Sequence, residues 1–396
     1  MIYKDTLNAV NRYIEVWVIL GLTIFLIGYF IFPSSGLRNT FFYLGVCTPL
    51  TLLLPTYYKQ LKPQTWLTAT ALAFAFYLFL NSLWSIHYSS SQSLKYLKYL
   101  LILYCLFAAV FLVQQKKPNY SELLFKAFIV IGFFHSLYGI FDHLNNIANP
   151  FLTRYNDPID SAMLAGLLLL TCVWQMLENI TWKQRLIYII LSIPFIIIIL
   201  LSKARGPQLS FILTIPILLY FSGQNIKKII PPLLILFLFT SIFLITSNAY
   251  EHIFSRGLTL PYRPEIWKVS FRESLEYFWF GQGASHNPLI SISSTDEKFI
   301  HSHNVILVIF RMSGIVGVIL FSTNLVLCFI AGKKNDKSQG KIWIVWLFFG
   351  ILCMMTNGKY LLTRPNDSWL VYWVPLAFIC ASYSKFLPIN YNFTKN

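Results

Sequence analysis

The sequence predicts an all-α polytopic membrane protein with about twelve transmembrane helices and one long loop on its outer face. Two features of the composition indicate this class: 56% of the 396 residues are hydrophobic, and only 12% are charged. A soluble domain carries about twice that charged fraction. The apolar residues occur in runs close to the ~20 residues that a membrane-spanning helix requires, whereas a membrane barrel shows short alternating segments.

The predicted spans follow one another along the whole chain, so we expect a single integral-membrane domain over residues 1–396. The apolar runs cover roughly 14–32, 39–56, 65–83, 95–113, 123–141, 159–177, 186–202, 207–222, 230–247, 304–330, 342–356 and 369–384. The connection at 248–303 is much longer than the others and forms the long outer loop.

The distribution of lysine and arginine predicts the orientation of these spans. Every predicted inner connection holds at least two of these residues, as the positive-inside rule requires. Both termini are then cytoplasmic. The net charge of +16 is explained mainly by this orientation, and no soluble domain is predicted that could offer a basic surface to nucleic acid.

Several arginines occur on the outer side, which the same rule normally depletes of positive charge. Guanidinium groups bind phosphate oxygens in a planar, bidentate way, so the set indicates a diphosphate site. For any single arginine, contact with lipid headgroups or with an outer acid is an equally good explanation. The predicted diphosphate-binding residues are Arg205, Arg256, Arg263 and Arg364.

The long outer loop contains a predicted amphipathic helix at 264–280. Pro264 suits a first helical position, and Arg263 directly precedes it, so the helix start and the guanidinium both favour an anion there. Trp267 is either a substrate contact or an interfacial anchor. The apolar residues recur every three or four positions, which predicts a stripe on the membrane surface or on the tops of the spans: Trp267, Phe271, Leu275 and Phe278.

Two histidines at the end of this loop are the candidate general bases, because the ordinary pKa of histidine, about 6.5, suits proton transfer near neutral pH. His303 and Asn304 open the tenth apolar run, so His303 is the better candidate and His301 a supporting residue. In a helix the two rings would point apart. A zinc pair is the alternative, but the sequence offers no third ligand at the usual spacing, and we expect no metal.

Four short motifs lie in order along the chain: Ser202-Lys203-Ala204-Arg205-Gly206, Arg263-Pro264-Glu265-Ile266-Trp267, Phe280-Gly281-Gln282-Gly283, and His303-Asn304 with Gly314 and Gly317 beyond. With these motifs the chain resembles the O-antigen ligase family. The family shares its polytopic, GT-C-like fold with O-antigen polymerases and pilin-type O-oligosaccharyltransferases. The resemblance extends over the whole length, with the long outer loop late in the chain.

The resemblance implies a metal-independent, inverting glycosyltransferase of lipopolysaccharide biosynthesis at the periplasmic face of the bacterial inner membrane. Its donor is a glycan on undecaprenyl diphosphate, its acceptor is a sugar hydroxyl of lipid A–core, and it needs no cofactor. His303 is expected to be the base. Arg205 and Arg263 are expected to stabilise the leaving diphosphate, with Arg256 and Arg364 as weaker candidates. The supporting residues are His301, Asn304, Trp267 and Gln282.

Other functions remain open at this point. A Wzy-type polymerase would extend another lipid-linked glycan, and a protein O-oligosaccharyltransferase would modify serine or threonine. A polysaccharide transporter or flippase would show internal repeats or helices broken at mid-membrane. Arg311, within the tenth run where family members often carry an acid, is a functional candidate by default but has no assigned role.

Overall fold

The computed structural model describes residues 2–32, 34–57, 65–86, 88–145, 158–178, 181–202, 204–224, 231, 262–284, 289–334 and 338–383. Over these residues the chain forms helices and a two-stranded hairpin. Nearly all of the predicted span at 230–247, and residues 248–261 of the long loop, lie outside the described residues. Each of the other predicted spans coincides with a helix.

The helices follow one another in the order that the apolar runs predict. Two short π-helical segments interrupt them: Tyr43–Cys47 joins α2 to α3, and Trp369–Trp373 leads into α13. The hairpin consists of β1 (Ile290–Ile292) and β2 (Thr295–Phe299), which pair antiparallel. The helices are α1 (Ile2–Ile31), α2 (Ser35–Phe42), α3 (Thr48–Tyr57), α4 (Trp66–Leu80), α5 (Ser90–Lys116), α6 (Tyr120–Asn145), α7 (Pro158–Leu177), α8 (Trp182–Leu201), α9 (Arg205–Ser222), α10 (Arg263–Glu276), α11 (Val305–Lys334), α12 (Ser338–Asn357) and α13 (Val374–Tyr383).

Among the described helices, seven are long and apolar enough to cross a bilayer, namely α1, α5, α6, α7, α8, α11 and α12. The α4 helix and the segment Trp369–Tyr383 are also apolar but shorter. The prediction of an all-α, multi-pass membrane protein is therefore confirmed. The count of twelve spans, the topology of the long loop and the division into domains stay predictions.

The centre of the bundle is a cluster of aromatic side chains around α12. Trp343 stacks on Phe378 of α13 with ring centroids 4.2 Å apart. The indole N–H of Trp346 donates to Thr171 Oγ1 of α7 at 2.9 Å. Buried aromatic rings contribute much of the packing energy of a core, and their polar atoms usually find a partner there. This packing fixes α12, whose C-terminal end reaches the candidate site.

The α11 helix is interrupted at Gly314, which has φ 64° and ψ −168°. The backbone N–H groups of Gln282 and Gly283 donate to the carbonyls of Arg311 and Met312 at 2.9 and 3.0 Å. Hydrogen-bonding groups that a broken helix frees inside a membrane protein must find other partners. Here the long loop supplies them, so its glycine turn is fixed to the span that follows.

The predicted amphipathic helix is shorter than expected, because α10 ends at Glu276 and residues 277–280 form a turn. The carbonyls of that turn bind other elements: Phe278 O accepts from Ile315 N at 2.8 Å, and Phe280 O accepts from Asn81 Nδ2 at 2.9 Å. These contacts replace a further helical turn and dock the end of α10 on α11 and on the end of α4.

The middle of the apolar stripe of α10 lies on the side away from the protein interior, whereas Trp267 packs against the cluster of Ile266, Ile290 and Ile292. Phe271 and Leu275 are each half exposed, and the Phe271 ring lies beside that of Phe310, with ring centroids 6.1 Å apart. The buried face of the helix consists of Ile266, Ser270 and Ser274. This arrangement agrees with a helix whose stripe meets the membrane surface.

Candidate functional site

His303 is held in an unusual backbone conformation directly before α11. Its φ is 52°, in the left-handed region that residues other than glycine seldom occupy. It forms an isolated antiparallel bridge with Gly358, just beyond α12. A Cβ atom on Gly358 would meet Val305 N at 2.2 Å, so the close approach requires glycine there. The start of α11 and the end of α12 thus fix the position of His303 together.

Asn304, the predicted supporting residue next to His303, is the cap of α11. Its side-chain Oδ1 accepts hydrogen bonds from the backbone N–H groups of Ile306 at 3.0 Å and Leu307 at 3.2 Å. Asparagine is favoured at this position because it satisfies N–H groups that the first helical turn leaves without partners. The cap sets where the helix begins, and hence where His303 lies.

His301 and His303 lie side by side, with ring centroids 4.3 Å apart. The expectation that the rings point apart was wrong, because it assumed a helix and this segment is not helical. Burial, followed by the neighbouring His303 and Lys359, lowers the pKa of His301 to about 4. His301 is therefore neutral near pH 7.

The β1–β2 hairpin is tied to the first turn of α10 through Glu265. The Glu265 carboxylate accepts from Ser293 N at 2.7 Å, and it also accepts from the hydroxyls of Ser293 and Ser294. These hydrogen bonds hold the pKa of Glu265 below its ordinary value, because they favour the charged carboxylate. These hydrogen bonds therefore connect the start of α10 to the hairpin.

Tyr262, the residue directly before Arg263 and α10, is connected to His303 by a short series of ring contacts. The Tyr262 ring is 6.2 Å from the Phe299 ring, which is 6.5 Å from the ring of His303. Burial lowers the pKa of the half-buried Arg263 guanidinium below its ordinary value, since it removes water from the charge. Trp267 packs one turn further on, and its buried Nε1 has no hydrogen-bond partner among the described residues.

Arg205 starts α9 at the same end of the bundle. The next residue, Gly206, packs against Thr356 near the end of α12, and a Cβ on it would meet Thr356 Oγ1 at 2.1 Å. Two residues beyond Thr356, Gly358 pairs with His303. The first turn of α9 and His303 therefore both contact the end of α12.

The remaining predicted residues have different positions. Arg364 lies exposed in the turn between α12 and the last π-helical segment. Gln282 is buried, and its carbonyl accepts from Ile86 N at 3.1 Å, so it links the glycine turn to the α4–α5 connection. Arg256 lies outside the described residues.

Two charged clusters near the site were not assigned from the sequence. Arg311 of α11 forms an ion pair with Glu273 of α10 at 2.7 Å, and its side chain is 2% exposed. Arg38, buried at the start of α2, pairs with Asp367 at 3.3 Å and has its guanidinium carbon 3.8 Å from the centre of the Tyr29 ring. Arg38 could have been noticed as a further arginine in an outer connection.

Comparison with known proteins supports the resemblance. Residues 187–322 match the family model described as O-antigen ligase. The chain is also 28% identical over 385 residues to an O-antigen ligase of Pseudomonas aeruginosa, an alignment that covers 94% of this chain and 92% of that protein. The resemblance to the O-antigen ligase family is confirmed. The matched region includes Arg205, Arg263 and His303, whereas Gly358 and Arg364 lie beyond it.

Proposed function

We propose that the chain is an O-antigen ligase, a glycosyltransferase that moves a glycan from undecaprenyl diphosphate to a lipid A–core sugar hydroxyl. The reaction would take place at the periplasmic face of the bacterial inner membrane. The observation that supports this best is the position of His303. It is fixed between the start of α11 and Gly358, beside elements that begin with Arg205 and Arg263.

His303 is proposed as the general base. A sugar hydroxyl is a poor nucleophile until its proton is removed, and a positioned base contributes roughly 10²–10⁴-fold in rate. The bridge to Gly358 and the Asn304 cap hold His303 in place. His301 lies beside it and is held neutral at physiological pH by burial. A proton taken by the pair is therefore assigned to His303.

Arg205 and Arg263 are proposed to stabilise the diphosphate leaving group, with Arg256 and Arg364 in weaker roles. Negative charge grows on the bridging oxygen as the glycosidic bond breaks, and donors placed at growing charge are each worth about 10²–10³ in rate. Both Arg205 and Arg263 lie at the starts of helices, where free backbone N–H groups also favour anions. Attack opposite the leaving group inverts the anomeric centre.

The donor is already activated by its diphosphate, so the proposal requires no cofactor and no metal. Over the part of the chain that the structure describes, no group of three His, Cys, Asp or Glu side chains could hold a metal ion. Transport is less well supported. The α11 helix is indeed broken at Gly314, but the long loop occupies the break with its own backbone.

The proposal is tested by complementation of a ligase-deficient Gram-negative host with the wild type, His303→Ala and Arg263→Ala. Lipopolysaccharide is resolved on a gel, and expression is checked by blotting. We expect capped core with the wild type and its loss in both variants. Lys126→Ala is a matched control, because Lys126 is an exposed cation of α6 far along the chain from the site residues.

Two outcomes would contradict the proposal in different ways. Capping that persists in well-expressed His303→Ala excludes His303 as the base and moves attention to His301. No capping with the wild type, together with longer lipid-linked glycan or glycosylated pilin, identifies a polymerase or a protein O-oligosaccharyltransferase. EDTA-treated membranes should retain the transfer activity.

A further inference from the structure

A cavity of about 360 Å³ lies next to His301, between the first turns of α11 and the segment that follows α12. This volume is within the usual range for small-molecule sites, about 300–1,000 Å³. His303 is not part of its wall, but the adjoining His301 ring is 4.3 Å from the His303 ring. We call it the His301 cavity, and its walls include Tyr96, His301, Ser302, Arg311, Lys359 and Tyr360.

Two residues of the His301 cavity wall each carry a buried polar atom that has no hydrogen-bond partner among the described residues. These atoms are the hydroxyl oxygen of Ser302, a residue that is 1% exposed, and Nδ1 of His301. Buried polar side-chain atoms nearly always have a partner. Both residues line a cavity wide enough for a ligand, so a rotation of either side chain would present its polar atom to a ligand that carries hydroxyl groups.

The charge of the His301 cavity distinguishes it from a diphosphate site. The Arg311 guanidinium forms an ion pair with Glu273 at 2.7 Å, which offsets its charge. Burial lowers the pKa of His301 to about 4, so this ring is uncharged near pH 7. Lys359 is then the cation that remains in the wall. A diphosphate carries several negative charges and is better matched by Arg205 and Arg263.

The walls of the cavity are mostly carbon, and two tyrosine rings are fixed in them. The rings of Tyr96 and Tyr360 meet edge to face, 5.8 Å apart. Their hydroxyls donate to backbone carbonyls, Tyr96 to Ala284 at 2.9 Å and Tyr360 to Leu78 at 3.2 Å. Rigid apolar walls with a few placed polar atoms suit a ligand that has both C–H faces and hydroxyl edges, as a sugar ring does.

We propose that the His301 cavity binds a sugar ring of the acceptor, with Ser302 and His301 as its hydrogen-bonding residues. The bound ring would place an acceptor hydroxyl next to His303. This inference rests on the proposed transferase function and adds the location of the acceptor, while the donor diphosphate stays with Arg205 and Arg263. Ser302 and Tyr360 are then specificity-determining residues.

The test uses the purified full chain in lipid nanodiscs, with undecaprenyl-diphosphate-linked glycan as donor and lipid A–core as acceptor. Ser302→Ala should raise the KM for the acceptor about tenfold, the effect of one lost hydrogen bond, with the donor KM unchanged. Tyr360→Leu removes an aromatic wall and should act in the same direction. Ser192→Ala, a buried hydroxyl change in α8, is the matched control and should change neither constant.

Retained melting temperature shows that a variant is folded. A rise in the donor KM instead of the acceptor KM would assign the cavity to the donor and overturn the inference. Unchanged constants for both folded variants would overturn it as well. The proposed function fails separately, if the wild type transfers nothing to lipid A–core but uses another acceptor. The same variants then test the cavity with that acceptor.

Discussion

His303 combines a proposed chemical role with a strained backbone. A residue other than glycine in the left-handed region costs about 1–3 kcal/mol, and such strain concentrates at functional sites. Here the strain is held by the bridge to Gly358 and by the capped helix that follows. A position chosen for stability alone would carry glycine.

This strain leads to a prediction for His303→Gly. The variant should lose transfer activity, yet melt at the same temperature as the wild type or a few degrees higher, since glycine adopts this φ without strain. His303→Ala should also be inactive but should melt lower than His303→Gly. Thermal melts of both proteins in detergent check the order, and a lower melting temperature for the glycine variant would contradict the strain argument.

His301 should make stability depend on pH. Its folded-state pKa, about 4, lies below the ordinary value of 6.5 because of burial, then of His303 and Lys359. Between these values the unfolded chain binds the proton and the folded protein does not, so stability falls as pH drops from about 6.5 to about 4. The melting temperature of the wild type relative to that of His301→Gln should therefore fall as pH drops through this window. Parallel curves would exclude the effect.

At the level of single residues, the sequence named candidate site residues but did not indicate their contacts. His303, Arg205 and Arg263 could be named because their types and their places at the outer ends of apolar runs are visible in the chain. The partner of Arg311 could not be named from the sequence, because Glu273 lies in a different element and nothing local relates the two positions. The proximity of His301 and His303 could not be predicted either, because it depends on a non-helical backbone that the spacing of apolar residues does not show.

The α10 and α11 helices are joined by the Glu273–Arg311 ion pair. Removing one partner of a buried pair leaves an unpaired charge and costs about 3–5 kcal/mol at full burial. Glu273 is 29% exposed, so we expect the lower end for Glu273→Gln, a loss of several degrees in melting temperature. The double variant of Glu273→Gln with Arg311→Met should recover much of the lost melting temperature, because no unpaired charge remains.

The matched control for this pair is Glu122→Gln, which breaks the exposed pair with Lys126 within α6. Exposed pairs one helical turn apart are worth only about 0.3–0.5 kcal/mol. Its melting temperature should therefore stay close to that of the wild type. Equal losses for Glu273→Gln and Glu122→Gln would show that burial of the Arg311 side chain is not what makes the first pair important.

The break in α11 gives a second prediction for this junction. A Cβ on Gly314 would meet Trp279 O at 2.3 Å, and its φ of 64° also disfavours other residues. Gly223, at the end of α9, has nearly the same φ, but a Cβ there meets nothing within 4 Å. Gly314→Ala should therefore lower the melting temperature clearly more than Gly223→Ala. Similar losses would mean that backbone conformation alone, without the packing of the loop, explains the glycine.

The sequence predicted the ends of helices well where a run of apolar residues sets them. It predicted them less well where contacts with distant parts of the chain set them. The runs at 159–177 and 186–202 fall within α7 and nearly within α8, because the bilayer requires continuous apolar helices. The end of α10 was placed at residue 280 instead of Glu276, because the carbonyls of the following turn bind α11 and Asn81. Those partners are distant in sequence.

For the whole molecule, composition predicted the class of protein, which is confirmed, and the charge of the loops predicted an orientation that stays a prediction. The packing order of the helices had no signal in the single sequence. Contact of α9 with α12, and of α13 with α5, brings together parts of the chain that are far apart. The candidate site depends on this packing, since its parts come from α9, α10, α11 and the end of α12. The resemblance to a family had already related these motifs to one another before the structure showed how their elements pack.

The predicted orientation can be tested with single cysteines in intact cells. Ser293 is exposed in the hairpin on the predicted periplasmic side, and Lys334 is exposed at the opposite end of α11, where the positive-inside rule places the cytoplasm. The six native cysteines are buried or half-buried, which keeps the background low. A membrane-impermeant maleimide should label Ser293→Cys in intact spheroplasts, and Lys334→Cys only after permeabilisation. The reverse pattern would place His303 on the cytoplasmic side, away from any periplasmic acceptor.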